Sequence, residues 1–205
     1  MQTPARGEGV TVQLILIRHG EPDLSNGADD PPLSQLGLQQ ARQSAELLSR
    51  EPINRIVSSP LLRARQTAEP LAAALALPVE LVDGVAEVDR WGASYISVED
   101  LRREGGEAWA HFLRDPVGAL GGDEAAFRRD VSATFRQLAL EVDGRTAVAT
   151  HGLPINLILA QLLNLDGLTN FSPHHASVTR LHIGDGGRMR VLSINESIHI
   201  SREVD

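Results

Sequence analysis

Cysteine is absent from this 205-residue chain. Its absence removes disulfides, thiolate metal sites and a cysteine nucleophile together, and it leaves the redox compartment open. Aromatic residues are scarce, at 3%, so a core has to be filled by Leu, Ile, Val and Ala. An excess of positive charge is also missing. The net charge of −8 argues against nucleic acid and anionic membrane as partners, because both demand a basic face. No stretch approaches the ~20 consecutive apolar residues of a membrane span, and the opening MQTPARGEGVT lacks the apolar run of a signal peptide. Cytoplasm is the expected location. An acidic chain that handles an anionic substrate has to build a local positive pocket.

What is present suits an ordinary globular protein: 42% hydrophobic and 22% charged residues, in a length that fits one domain better than two. The expected organisation is a flexible tail over 1–11 and a single domain over 12–205. Val12 to Ile17 is an apolar run that reads as a strand buried on both faces, ending at Arg18-His19-Gly20-Glu21-Pro22. The spacing of Leu36, Ala41, Ala45, Leu47 and Leu48 predicts a helix from Ser34 to Arg50, and Arg55 to Val57 a second strand. Ser59 as N-cap with Pro60 in the first turn predicts a helix over Leu61 to Ala76, followed by a strand at Val79 to Val82. Between 83 and 122 the pattern weakens into an irregular insertion with short helical pieces. Asp123 to Val142 reads as an amphipathic helix, Thr146 to Thr150 as a buried strand, and Leu153 to Leu163 as another helix. Ser177 to Ile183 and Met189 to Ile194, separated by Gly184-Asp185-Gly186-Gly187, read as a β-hairpin. Strands alternating with helices imply an α/β fold, a three-layer α/β/α sandwich whose mainly parallel sheet carries an antiparallel edge strand.

In open parallel sheets, ligands bind beyond the carboxyl ends of the strands. Two strand ends stand out: LILI runs into Arg18-His19-Gly20-Glu21-Pro22, and AVAT runs into His151-Gly152-Leu153-Pro154. If the two strands are neighbours, two imidazoles meet there, with glycines that let backbone N–H groups approach a ligand. Arg63, in the first turns after a third strand end, joins Arg18 as a clamp for a phosphoryl group, which a planar guanidinium can grip through two oxygens. One histidine can then attack phosphorus while the other donates to an equatorial oxygen, and no metal or other cofactor is required. Glu87, just after the third strand, is the candidate proton donor to the leaving alkoxide, with Asp89 as its alternative and Glu21 as a weaker one.

Taken together these segments resemble the histidine phosphatase superfamily, the phosphoglycerate-mutase-like group. LILIRHGEP is similar to its nucleophile motif, VSSPLLRARQTA to its second-arginine motif, Ala86-Glu87-Val88-Asp89 to its acid loop, and AVATHGLP to its second-histidine motif. Fainter echoes lie at Gly121-Gly122-Asp123-Glu124 and at NESIHI. The resemblance runs in order from Leu14 to Ile200 and implies a phosphoglycerate-mutase-like fold. It also implies that His19 becomes phosphorylated, that Arg18, Arg63 and His151 hold the phosphoryl group beside Gly152, and that Glu87 donates the proton. Two departures bear on activity. Mutase-type members carry Asn six residues after the nucleophile, where this chain has Ser25, with Asn26 one place later. Their acid loop reaches its glycine one residue sooner than Glu87-Val-Asp-Arg-Trp-Gly does here. Hydrolysis of a small phosphorylated metabolite is therefore expected ahead of a mutase reaction or of phosphoprotein (phosphohistidine) hydrolysis.

Glu21, Ser25, Asn26, Asp89 and Arg102 are the further candidates for touching substrate, and Trp91 and Trp109 for lining a leaving-group pocket or simply for burial. Arg63 has a plain alternative as a surface helix residue paired with Glu69. His174-His175 reads as a solvated loop or the rim of the phosphate pocket, since no ligand partners flank it at metal spacing. A homodimer is compatible with the sequence, which selects no oligomeric state.

Overall fold

A computed structural model of the chain describes residues 12–25, 27–91 and 95–200. The tail over 1–11 and Asn26 lie outside the described residues, as does the side chain of Trp91. Six strands form one sheet in the order β3-β2-β4-β1-β5-β6. They are β1 (Gln13–Arg18), β2 (Ile53–Ser58), β3 (Val79–Leu81), β4 (Arg145–Thr150), β5 (Val178–Ile183) and β6 (Met189–Glu196). The first four run parallel, and β5 and β6 close one side antiparallel, as the hairpin pattern predicts.

The near-continuous apolar character of β1 has a direct cause. Leu14 and Leu16 pack into the core on one face of the sheet and Ile15 and Ile17 into the core on the other, all within 2% of complete burial. A strand covered on both faces has no side to spare for polar residues. The Ile15/Ile17 face is covered by α1 (Gln35–Leu48) and α2 (Leu62–Leu75) through Ala45, Leu48, Ala68 and Leu71. The opposite face is covered by α6 (Glu124–Glu141) and α7 (Gly152–Leu163), with Phe127, Val131, Phe135 and Leu138 forming the buried stripe of α6. Two of the chain's four phenylalanines thus anchor one helix, and small and branched aliphatics do the remaining work.

The region over 83–122 holds more helix than its sequence pattern suggests. After two single 3₁₀ turns at Asp83–Val85 and Val88–Trp91 come α3 (Val98–Glu104), α4 (Gly106–Arg114) and α5 (Pro116–Ala119). Each is short, and polar caps supply what length does not: Ser97 caps α3 by accepting from Asp100 N, and Asp115 caps α5 by accepting from Gly118 N.

The start of α2 corrects one expectation. Leu61, not Ser59, is its N-cap, in an extended conformation and with no side-chain capping bond. The orphan N–H of Leu62 is satisfied instead from outside the helix, by the Asp30 carboxylate at 3.0 Å. Ser59 is released for another purpose at the strand ends.

Candidate active site

Strand order brings the sequence candidates together. β4 lies between β1 and β2, with Arg18 level with Thr150 and Ser58 level with Ala149. The chain therefore leaves the sheet at three neighbouring points: Arg18-His19, His151-Gly152 and Ser59. The rings of His19 and His151 meet with centroids 5.0 Å apart, both almost completely buried.

Gly20 is required by close packing. A Cβ on Gly20 would stand 2.6 Å from the carbonyl oxygen of Gly37, and one on Gly37 only 2.1 Å from that of Glu21. The first turn of α1 therefore presses directly on the loop that carries His19. On the other side, Thr67 of α2 accepts from Gly20 N at 2.9 Å and donates to the Arg63 carbonyl at 2.7 Å. His19 Nδ1 lies 2.8 Å from the Gly20 carbonyl. A carbonyl only accepts, so the ring proton sits on Nδ1 and Nε2 keeps its lone pair. Burial, followed by the nearby Arg63 guanidinium, holds the His19 pKa well below the ordinary histidine value, and the ring is neutral at pH 7.

His151 is likewise kept neutral by burial and then by Arg63. Its Nε2 is 2.8 Å from Ser59 Oγ, and its Nδ1 is buried without a hydrogen-bond partner. Leu61 N donates to the same Oγ at 3.2 Å. The serine hydroxyl can then give its own proton to His151 Nε2, which places the ring proton on the unpartnered Nδ1.

Arg63 has no exposed side-chain surface, which removes the alternative of a surface helix residue paired with Glu69. One of its terminal nitrogens donates to both Asp89 oxygens, at 2.8 and 3.0 Å, and its guanidinium carbon lies 4.7 Å from the Tyr95 ring centre. Arg18 donates to the Pro173 carbonyl and to Glu99 Oε1, both at 2.6 Å. The Nε atoms of both arginines are buried and unpartnered. Two guanidinium N–H groups and His151 Nδ1 are thus desolvated donors able to meet the oxygens of a tetrahedral anion.

Glu87 stands beside them. Its Oε2 accepts from Leu153 N, at the start of α7, at 3.1 Å. A Cβ on Gly152 would lie 4.0 Å from that oxygen and 3.9 Å from Arg18 Nε, so this glycine leaves open the ground between acid and arginine. Burial and then the Asp89 charge raise the Glu87 pKa from 4.5 to about 7. Thr150 fastens the acid loop to the sheet by donating to the Val85 carbonyl at 2.6 Å.

A cavity of about 280 Å³ opens from this point. Arg18, His19, Arg63, Glu87, Asp89, Arg102, Trp109 and Gly152 are in its wall, and His151, fully buried, packs against His19 with ring centres 5.0 Å apart. Glu21 and Ser25 fall outside it. The Glu21 carboxylate turns back to accept from Ser34 Oγ at 2.7 Å, and Ser25 is exposed in a turn closed on Asp23.

His175 is packed in the wall with its ring 5.5 Å from His19, which favours the pocket-rim alternative for the His-His pair over the solvated loop, and burial followed by Arg18 lowers its pKa. The structure also adds residues that the sequence reading leaves out. Tyr95 and Glu99 reach the same wall from the 83–122 region. Burial pushes the Glu99 carboxyl up, but the Arg18 charge and hydrogen bond, acting with His175, bring it down to about 2. Thr67 carries a legible signal, since it stands one helical turn after Arg63 on the same face. Glu99 has none, because it meets the site through distant chain.

Parallel strand ends, paired imidazoles and desolvated guanidinium groups are the marks of a phosphoryl-handling α/β protein, and the comparisons specify which kind. The chain belongs to the histidine phosphatase superfamily, branch 1, whose family model it matches over residues 14–197. It is 30% identical over 200 residues to phosphoserine phosphatase 1 of Hydrogenobacter thermophilus, covering 92% of this chain and 94% of that protein. It is 31% identical over 164 residues to a probable phosphoglycerate mutase of Proteus mirabilis, covering 75% and 76%. Among solved structures, a mycobacterial glucosyl-3-phosphoglycerate phosphatase with inorganic phosphate superposes with a TM-score of 0.71 at 26% identity, over 93% of this chain and all of that one. The Entamoeba histolytica phosphoserine phosphatase with 3-phosphoglyceric acid gives a TM-score of 0.66 at 26% identity, over 91% and 98%. Among the described residues, no helix is long and apolar enough to cross a membrane.

Proposed function

We propose that the chain is a metal-independent phosphatase that hydrolyses a phosphomonoester of a small metabolite through a phosphohistidine intermediate on His19. The observation that carries this reading is the meeting of His19 and His151, ring centres 5.0 Å apart, between the buried guanidinium groups of Arg18 and Arg63. Arg18, Arg63 and His151 Nδ1–H bind the three non-bridging phosphoryl oxygens, so charge building in the transition state meets donors already in place. The neutral His19 attacks phosphorus through Nε2. An N–P bond forms, the P–O ester bond breaks, and Glu87 gives its proton to the departing alkoxide. The Glu87 carboxylate then takes a proton from water, whose oxygen attacks phosphorus and releases inorganic phosphate and free His19. Glu87 suits this part better than Asp89. Its pKa lies at about 7, whereas both oxygens of Asp89 are engaged by Arg63.

The test is turnover of a generic aryl phosphate in excess chelator, beside His19→Ala. The expected result is metal-free release of phosphate that the variant lacks. A requirement for added metal, or unchanged turnover by His19→Ala, contradicts the proposal. The mutase reading, which the Proteus relative favours, is separated by product: it yields an isomerised ester instead of free phosphate.

A further inference from the structure

The cavity has two unlike ends. Its inner end holds the charged groups already described. The rest of its wall is largely apolar, with Ile96, Trp109, Phe112, Leu113, Leu120 and Phe171, and its polar members there include Thr169, Ser172 and His174. Phe112 and Leu120 are fixed in the core at 3% and 4% exposure, and Trp109 stacks on Phe112 with ring centres 5.5 Å apart and planes 14° apart. At the mouth, Ile96 and Leu113 leave 37% and 46% of their surface in water. The amide of Asn156, also in the wall, is spent internally: it donates to the carbonyls of Gly152 and Phe171 and accepts from Phe171 N. It has no donor left for a polar leaving group.

From this lining we infer that the substrate's leaving group is an uncharged, ring-bearing alcohol, packed between the Trp109–Phe112 pair and the mouth residues Ile96 and Leu113. The inference rests on the phosphatase reading and names its substrate class. Cavity size agrees: about 280 Å³ is near the lower end of the range of roughly 300–1,000 Å³ that encloses ring-containing ligands, and a three-carbon acid leaves much of it unfilled. The charges agree too. Glu99, in the same wall and 2.6 Å from Arg18, puts a negative charge beside the phosphoryl subsite and repels a carboxylate carried next to the ester carbon. Arg102, three residues on in α3 and exposed, offers an acidic group only the solvent-facing rim.

The discriminating substrates are alkyl phosphates of comparable leaving ability: 2-phenylethyl phosphate against ethyl phosphate, octyl phosphate, phosphoserine and 3-phosphoglycerate. The expected kcat/KM for the phenylethyl ester exceeds each of the others by on the order of tenfold or more, as a well-filled apolar subsite provides. Trp109→Ala collapses the phenylethyl-to-ethyl ratio toward one. Leu113→Asn, at a half-exposed position that does not threaten folding, lowers the same ratio. Preference for phosphoserine or 3-phosphoglycerate, lost in Arg102→Ala, overturns the inference, as does preference for the octyl chain. Binding of the non-hydrolysable 2-phenylethyl- and ethylphosphonates, followed by calorimetry, decides the matter separately from catalysis. If no ester is turned over, the phosphatase reading fails, yet about tenfold tighter phenylethylphosphonate binding still upholds the subsite, and equal binding rejects it.

Discussion

The two ends of the cavity are built by opposite means. The phosphoryl end rests on three adjacent exits of a parallel sheet, where buried charges are held by short bonds from several elements. The cover comes from the 83–122 region, with its short helices, together with residues 168–173 after α7, and is largely apolar where it faces the cavity. Position at the sheet end is dictated by strand pairing, which tolerates little change, whereas the short helices are joined to it by few bonds. Selectivity therefore rests mostly on chain outside the strand ends, although the same 83–122 stretch also carries Glu87 and Asp89 beside the phosphoryl end.

That contrast breaks most visibly at Arg63. Removing it as Arg63→Ala leaves the buried Asp89 carboxylate without its partner, a loss of about 3–5 kcal/mol of stability, and removes a phosphoryl donor at a cost of about 100- to 1,000-fold in kcat. Denaturant unfolding and steady-state kinetics read the two effects. Arg63→Lys is expected to recover more of the stability than of the rate, because an ammonium keeps the charge but not the planar fork.

Glu87→Gln isolates the acid. With an alkyl leaving group the rate is expected to fall by about 10²–10⁴, and the decline of kcat/KM above pH 7 that is expected of wild type as Glu87 loses its proton should disappear. The same substitution has a stability signature. A carboxyl raised from 4.5 to about 7 by folding makes wild-type stability fall as pH rises through that window, by up to roughly 3 kcal/mol. Melting curves at pH 5 and pH 8 should show Glu87→Gln gaining on wild type at the higher pH.

Smaller effects sharpen the comparison. Ser59→Ala removes the partner of His151 Nε2, and a rate loss of about fivefold is expected, matching one hydrogen bond of about 1 kcal/mol. Glu99→Gln tests the contact that ties cover to sheet. Because Glu99 is 46% exposed, solvent screens its ion pair with Arg18, so freeing Arg18 should lower the Ki for inorganic phosphate by only about two- to fivefold. An unchanged Ki would mean that the cover does not compete for Arg18.

How much of this was legible in the sequence follows the same division. Arg18, His19, His151 and Gly152 stand at strand ends marked by an abrupt change from apolar to polar residues, and Arg63 follows the next such end. Local pattern was enough to group them. Ser59 looked like a helix cap because Ser-Pro is a good local start signal, but its hydroxyl is engaged by His151 and the cap comes from Asp30 across the loop. Glu21 and Ser25 looked close to substrate because they follow His19, and the loop turns them away toward Ser34 and Asp23. For His175 the sequence left a solvated loop and the pocket rim both open, since neighbouring residues do not reveal that Ala176, with a positive φ of 58° and a carbonyl held by Ser44 Oγ, turns that loop inward. The outer wall of the cavity was least legible, because Trp109, Phe112 and Leu113 come from one short helix and Ile96, Leu120 and Phe171 from loops, and only tertiary packing brings them together.

The central claim is the covalent step. Wild-type protein mixed with excess aryl phosphate, quenched in base within the first turnovers and digested for mass spectrometry, should carry one phosphoryl group on the peptide containing His19. The adduct should survive base, be lost in acid and be absent from His19→Ala. Steady release of phosphate with no adduct at His19, or with the adduct on His151 or His175 instead, would contradict the account.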